Sequence, residues 1–278
     1  MSKMNAINTF RDLLAFLTII PLGKTEDFIS TSARNMWLFP LIGGFLGLLA
    51  AGYFVGCNII VAFLVDAVNF LVHIQVGWLA GVLPAAMTLA VLLILTGFQH
   101  FDGLVDLGNA LGVKTLQERR EIAHRWIVTY KGALLAFAVE FAAFLGLFML
   151  NVNFAVRALI VAEIGAKLAM LTIVWHGKAS HEGLGARFIR NAKRSLNIAG
   201  FAVAFVIGFA LLGVAGVLVV AVAALFGLFM EKVANGMFGG VSGDMIGATN
   251  EAARAVVLVV VALIFMFVSG LFWGGLML

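Results

Sequence analysis

Long apolar runs with no charge in them dominate the pattern of this chain. A helix needs roughly 20 mostly apolar residues to cross the ~30 Å hydrocarbon layer of a bilayer. Seven windows meet that criterion, at about 36–57, 80–98, 132–150, 154–176, 197–213, 215–238 and 254–275. The stretch 197–238 is too long for one crossing at ~1.5 Å per residue, and Gly213 with Gly216 offers the turn inside it. Residues 58–79 hold Asp66, Asn69 and His73 and read either as an amphipathic interfacial helix or as an extension of a tilted first span. The expected fold is all-α, a polytopic membrane bundle of about seven transmembrane helices.

Composition agrees with the pattern. Of 278 residues, 63% are hydrophobic and 12% charged, with mean hydropathy +1.10, whereas a soluble domain carries about 25% charge. Cys57 is the one cysteine, which excludes an intramolecular disulfide. The first ten residues lack the apolar core and small-residue cleavage site of a signal peptide, so none is expected.

Lys and Arg set the expected orientation, because short loops rich in them stay cytoplasmic. They gather before the first window (Lys3, Arg11, Lys24, Arg34), between the second and third (Lys114, Arg119, Arg120, Arg125, Lys131) and between the fourth and fifth (Lys178, Arg187, Arg190, Lys193, Arg194). Lys232 and Arg254 bracket the loop before the last window. The alternate loops hold none, although Arg157 sits just inside the fourth window. This places the N-terminus in the cytoplasm and the C-terminus outside. The formal charge of +4 fits that topology, or contacts with anionic lipid or phosphate, and needs no nucleic acid.

Three polar groups interrupt the apolar background, all on the inferred cytoplasmic side. In the first, His100-Phe101-Asp102-Gly103-Leu104-Val105-Asp106 follows the second window; on a helix Asp102 and Asp106 share one face. Two carboxylates so placed repel each other unless both meet a cation, and Mg²⁺ suits one or two carboxylates together with substrate phosphates. His100 and Asn109 extend the cluster as further ligands or as hydrogen-bond partners of ligands. A solvated helix end carrying ordinary acids has the same spacing. In the second group, Gly239-Gly240-Val241-Ser242-Gly243-Asp244 to Glu251, amides at Gly240 and Gly243 can cradle phosphate, and Asp244 and Glu251 share a helical face from which to reach one metal. Glycines in membrane helices more often serve helix packing. In the third, His181-Glu182-Gly183-Leu184-Gly185 precedes Arg187, Arg190 and Lys193, a possible polyphosphate clamp or a plain positive-inside loop. Asp66, Glu140 and Glu163 lie deeper; charge at mid-bilayer costs on the order of 3 kcal/mol, so these acids should face the interior, pair or stay protonated, with Lys167 four residues on as the natural partner of Glu163.

Taken in order, these segments resemble the cobalamin synthase family, the adenosylcobinamide-GDP ribazoletransferases. The likeness covers most of the chain: Leu14-Ala15-Phe16-Leu17-Thr18-Ile19-Ile20-Pro21, Phe39-Pro40-Leu41-Ile42-Gly43, His100 to Asp106, Glu182-Gly183-Leu184-Gly185, and Gly239 to Glu251. It departs in two places. Members usually carry a third acid followed by glycine where this chain has Asn109-Ala110, and His124 to Gly132 matches a more acidic stretch only loosely. The resemblance implies one catalytic domain over residues 1–278, in the cell (inner) membrane with its site on the cytoplasmic face. It implies transfer of the corrinoid-linked phosphate of GDP-activated adenosylcobinamide to α-ribazole or α-ribazole 5′-phosphate, with release of GMP. The implied roles are Mg²⁺ on Asp102, Asp106, Asn109, Asp244 and Glu251, and catalysis by Asp102, Asp106 and His100. Substrate contacts fall to Glu182, Arg187, Arg190, Lys193, Gly240 and Gly243.

Three other readings compete. An ion-coupled transporter would use the deep acids, but carriers bind at mid-membrane and often show repeats. A CDP-alcohol phosphotransferase would need an Ala-Arg pair after Asp-Gly, where this chain has Leu104-Val105-Asp106. A purely structural subunit leaves the acid clusters unexplained.

Overall fold

The computed structural model describes residues 6–73, 75–123, 125, 127–192 and 194–270. Those residues form twelve α-helices. Six are long and apolar enough to span a bilayer: α3 (Phe39–Val72), α7 (Tyr130–Phe148), α8 (Val152–His176), α10 (Arg194–Leu212), α11 (Val214–Phe238) and α12 (Gly243–Val268). A seventh, α4 (Leu79–Leu95), turns through 94° into α5 (Gln99–Asn109), so α5 runs across the end of the bundle. The turn sits at Gly97 and Phe98, both with positive φ. Four short helices, α1 (Ala6–Leu17), α2 (Phe28–Arg34), α6 (Leu116–Ala123) and α9 (Leu184–Asn191), cap the same end.

The central helix is α8, buried along nearly its whole length, with α3, α11 and α12 packed around it and α5 wedged between α12 and α7. Lipid supplies no hydrophobic drive between helices, so close backbone approach must hold them together. The pair Gly43 and Gly47 allows this for α3 on α8: a Cβ added at either would stand 2.3 Å from Glu163 O or 2.5 Å from Ile160 Cα.

One open alternative is settled and two expectations change. The first window continues unbroken to Val72, so residues 58–72 extend the span and no separate interfacial helix forms. Asp66 is exposed on α3 and makes no ion pair among the described residues. It lies about 40 Å of helix from Phe39, more than the ~30 Å hydrocarbon thickness, which brings it to the headgroup level. The last span begins at Gly243, about ten residues before the expected 254, because Ser242 caps it by accepting from Met245 N at 3.2 Å. The 197–238 stretch does break at Gly213, whereas Gly216 is helical and packs on Gly208.

Beneath α5 lies a buried ionic core. Lys167 Nζ donates to Glu163 Oε2 at 2.7 Å, as the spacing predicts. Arg254 bridges the other Glu163 oxygen to Glu251, and all four side chains are essentially inaccessible. Glu140 of α7 lies within the electrostatic reach of Glu251 and Arg254, with both of its carboxylate oxygens buried. Breaking such a core by removing one charge leaves an uncompensated ion, the costly case.

Candidate active site

Two adjoining hollows open at the capped end of the bundle. One, of about 340 Å³, is walled by Phe16, Phe39 and Phe188 and bordered by Gln99, His100, Asp102, His181, Gly243 and Asp244. The other, of about 330 Å³, is bordered by Asp102, Asp106, Arg125, Ile127 and Asp244. Asp102 and Asp244 therefore stand where the two meet. Three carboxylates from two helices converge because Gly103 lets α5 lie directly on the first turn of α12; a Cβ there would stand 2.3 Å from Asp244 O.

The electrostatics of α5, which lies outside the spanning helices, follow from this crowding. Burial, then the charges of Asp244 and Asp102, push the Asp106 carboxyl up to about 8. Neither Asp102 nor Asp106 has an ion-pair partner among the described residues. His100 is the inner neighbour of this group. Burial, then the positive charges of Lys167 and Arg254, bring its imidazole down to about 3, so it is neutral. Its Nδ1 lies 3.7 Å from Glu251 Oε1.

Such a site fits a hard cation in one specific sense. Among the described residues no group of three or more His, Cys, Asp or Glu is placed to hold a metal unaided. Mg²⁺ is ordinarily held by one or two carboxylates plus substrate phosphates and water, and the crowded Asp102, Asp106 and Asp244 offer such carboxylates at one mouth.

Other residues expected in the site stand elsewhere. Glu251, two turns and about 10 Å of helix beyond Asp244, is held by Arg254 and by Asn250 Nδ2 at 2.9 Å. Asn109 donates to Ile127 O at 2.9 Å and accepts from Thr129 N and Oγ1 at 3.0 and 2.8 Å, tying α5 to the start of α7. Gly240 gives its amide to Ala234 O and fits against residues 178–180, where Val241 pairs in a short bridge with Ala179. Of the two glycines only Gly243 borders a hollow. Helix α9 buries Phe188 and sets the exposed Leu184 at the edge of the first hollow, and it leaves Arg187 and Arg190 exposed, with Arg190 bound to Glu182 at 2.8 Å. Lys193 and part of the His124–Gly132 segment lie outside the described residues. Sequence reasoning missed Arg125 at the carboxylate hollow and the Phe16–Phe39–Phe188 wall, whose ring centroids are 5.0–6.2 Å apart. Arg125 was indistinguishable among neighbouring loop cations, and the three phenylalanines lie far apart in sequence.

Comparison with known proteins decides the family. Residues 9–262 match the family described as Cobalamin-5-phosphate synthase. The chain belongs to that family. Membership makes it a transferase of cobalamin biosynthesis, as the resemblance implied. Similar proteins named adenosylcobinamide-GDP ribazoletransferase include one from Thermococcus onnurineus, 32% identical over 95% of this chain and 100% of its own length. Another, from Halorubrum lacusprofundi, is 31% identical over 91% and 95%. A third, from Methanocella arvoryzae, is 30% identical over 91% and 95%. No solved structure matches. Among cobalamin-5-phosphate synthases, then, this chain offers Asp102, Asp106 and Asp244 at one mouth beside a neutral His100.

Proposed function

We propose that this chain is an adenosylcobinamide-GDP ribazoletransferase that joins GDP-activated adenosylcobinamide to α-ribazole or α-ribazole 5′-phosphate, releasing GMP. The observation that carries the reading is the convergence of Asp102, Asp106 and Asp244 where two hollows meet, one walled by aromatic rings and one bordered by Arg125. A diphosphate needs charge neutralisation at that point, and a corrinoid or a base needs apolar contact beside it.

In the reaction the ribose hydroxyl oxygen bonds to the corrinoid-side phosphorus. The bond from that phosphorus to the bridging oxygen breaks, and its electron pair leaves with GMP. Asp102, Asp106 and Asp244 would hold Mg²⁺, which when bound supplies charge neutralisation on the diphosphate. Their own task is to fix the place of that positive charge at the mouth, where the two hollows meet. His100 borders the aromatic-walled hollow with its ring neutral, and a ring nitrogen facing that hollow would accept the attacking hydroxyl's proton. Arg125 is placed to meet a phosphate oxygen. Phe16, Phe39 and Phe188 exclude water from one side. The fixed groups thus act mainly by alignment and electrostatics.

The site lies on the cytoplasmic face in this reading. Arg11, Lys24, Arg34, Lys114, Arg119, Arg120, Arg125, Lys131, Lys178, Arg187 and Arg190 all gather at the capped end, and Arg157 alone lies at the other among the described residues. The test is turnover in lipid with adenosylcobinamide-GDP, α-ribazole 5′-phosphate and Mg²⁺, followed as GMP and complete cobamide. Asp102→Asn, Asp106→Asn and Asp244→Asn should each lower kcat/KM by at least ~10²-fold while membrane insertion is retained. Near-normal rates in all three would remove the carboxylates from the mechanism, and no turnover by folded wild-type protein with several lower-ligand bases would remove the assignment.

A further inference from the structure

A third cavity, of about 520 Å³, lies at the end of the bundle opposite the candidate site and has no part in the proposed reaction. It is enclosed by the first turns of α8, the Gly213 hairpin between α10 and α11, and the last turns of α12. Its walls are apolar, including Phe154, Leu211, Val219, Val261 and Phe265, and Phe154 packs on Phe265 with ring centroids 4.6 Å apart. Arg157 is the one charged residue on its wall. The guanidinium lies over the Phe154 ring at 6.0 Å, and the exposed side chain makes no ion pair among the described residues.

Arg157 is also the cation that topology does not explain. At this end of the bundle it is the only Lys or Arg among the described residues, so it runs against the charge asymmetry that orients the rest of the chain. It lies five residues into α8, less than 10 Å from the helix start, a depth from which a long side chain reaches the headgroup layer while its stem stays in apolar surroundings. An acyl chain gains little by moving from bulk lipid into an apolar cavity, since both environments are hydrocarbon. Whatever distinguishes one lipid from another here must come from the guanidinium, which favours a phosphate and most of all one whose charge no choline offsets.

We propose that this cavity is a binding site for an anionic phospholipid on the membrane face opposite the active site, with an acyl chain between α8, α11 and α12 and the headgroup phosphate on Arg157. The full-length protein, purified in mild detergent and equilibrated with equal amounts of dioleoylphosphatidylglycerol and dioleoylphosphatidylcholine, is read by native mass spectrometry. Wild type should retain one phosphatidylglycerol per chain with about tenfold preference, the worth of one charge-assisted contact. Arg157→Gln should abolish the preference, and Arg157→Lys should keep part of it. Val219→Trp, which fills the cavity and leaves the charge, should reduce retention of both lipids; monodispersity and an unchanged melting midpoint establish that each variant is folded. Equal retention of the two lipids by wild type, or undiminished preference in folded Arg157→Gln, overturns the proposal. So does binding seen only after the chain is shortened behind Gly270, which would give the cavity to the chain's own last residues.

Discussion

The approach of α5 to α12 offers the sharpest test of how this fold makes a site. At Gly103 an added Cβ would stand 2.3 Å from the Asp244 carbonyl oxygen, 2.9 Å from Ala248 N and 3.1 Å from Asp244 C, where ordinary contact begins near 3.4 Å. All three obstacles are backbone of a helix, so no side chain can swing away. Gly103→Ala therefore requires α5 to retreat by about 1 Å, a displacement that by itself can lower a rate ~10²-fold when the moved groups position the reaction. Because α5 carries Asp102 and Asp106 while α12 carries Asp244, the retreat opens the carboxylate set. Stability should change less. Overpacking costs ~1–3 kcal/mol, and replacing a helical glycine by alanine returns up to ~1 kcal/mol. The assay is GMP release in lipid, with the melting midpoint measured in parallel. Gly52→Ala is the control, since a Cβ there meets nothing within 4 Å. Full activity in Gly103→Ala with an unchanged melting midpoint would refute the claim that backbone contact at this glycine sets the site geometry.

Removing the bridging cation of the buried core, Arg254→Met, leaves Glu251 uncompensated and Glu163 with Lys167 alone, and should cost ~3–5 kcal/mol, read as a large fall in melting midpoint or loss of the folded protein. Restoring the family's acid with Asn109→Asp should not improve activity. It deletes the donor to Ile127 O and sets a charge beside that carbonyl, at a cost of about 1–3 kcal/mol. The pH dependence of cation binding follows from Asp106, held up to about 8 by burial and by Asp244 and Asp102. Below that pH a bound cation must expel a proton, so Mg²⁺ affinity from titration calorimetry should rise with pH by up to ~tenfold per unit and level off above about 8. Asp106→Asn should flatten the rise, and a pH-independent affinity in wild type would contradict this account.

The one-dimensional pattern of this chain already determines a great deal. Uninterrupted apolar runs of bilayer length require helices, because hydrocarbon leaves a backbone no other way to satisfy its polar groups. Asp102 and Asp106 lie a helical turn apart, and Glu163 with Lys167 is an i,i+4 pair; both relations follow from local helix geometry. The order of the motifs was enough to point to the family. Contacts between distant segments are of another kind. Asp244 and Glu251 look equivalent on a helical wheel, yet Asp244 borders the hollows and Glu251 is held by Arg254 in the core. Asn109 looks like a weakened ligand, yet its amide ties α5 to residues 127–129. Arg125 and the Phe16–Phe39–Phe188 wall become visible only when helices far apart in sequence are packed together. Periodicity fixes which residues share a face, and only close packing of one helix backbone on another, permitted here by Gly43, Gly47 and Gly103, fixes what that face meets.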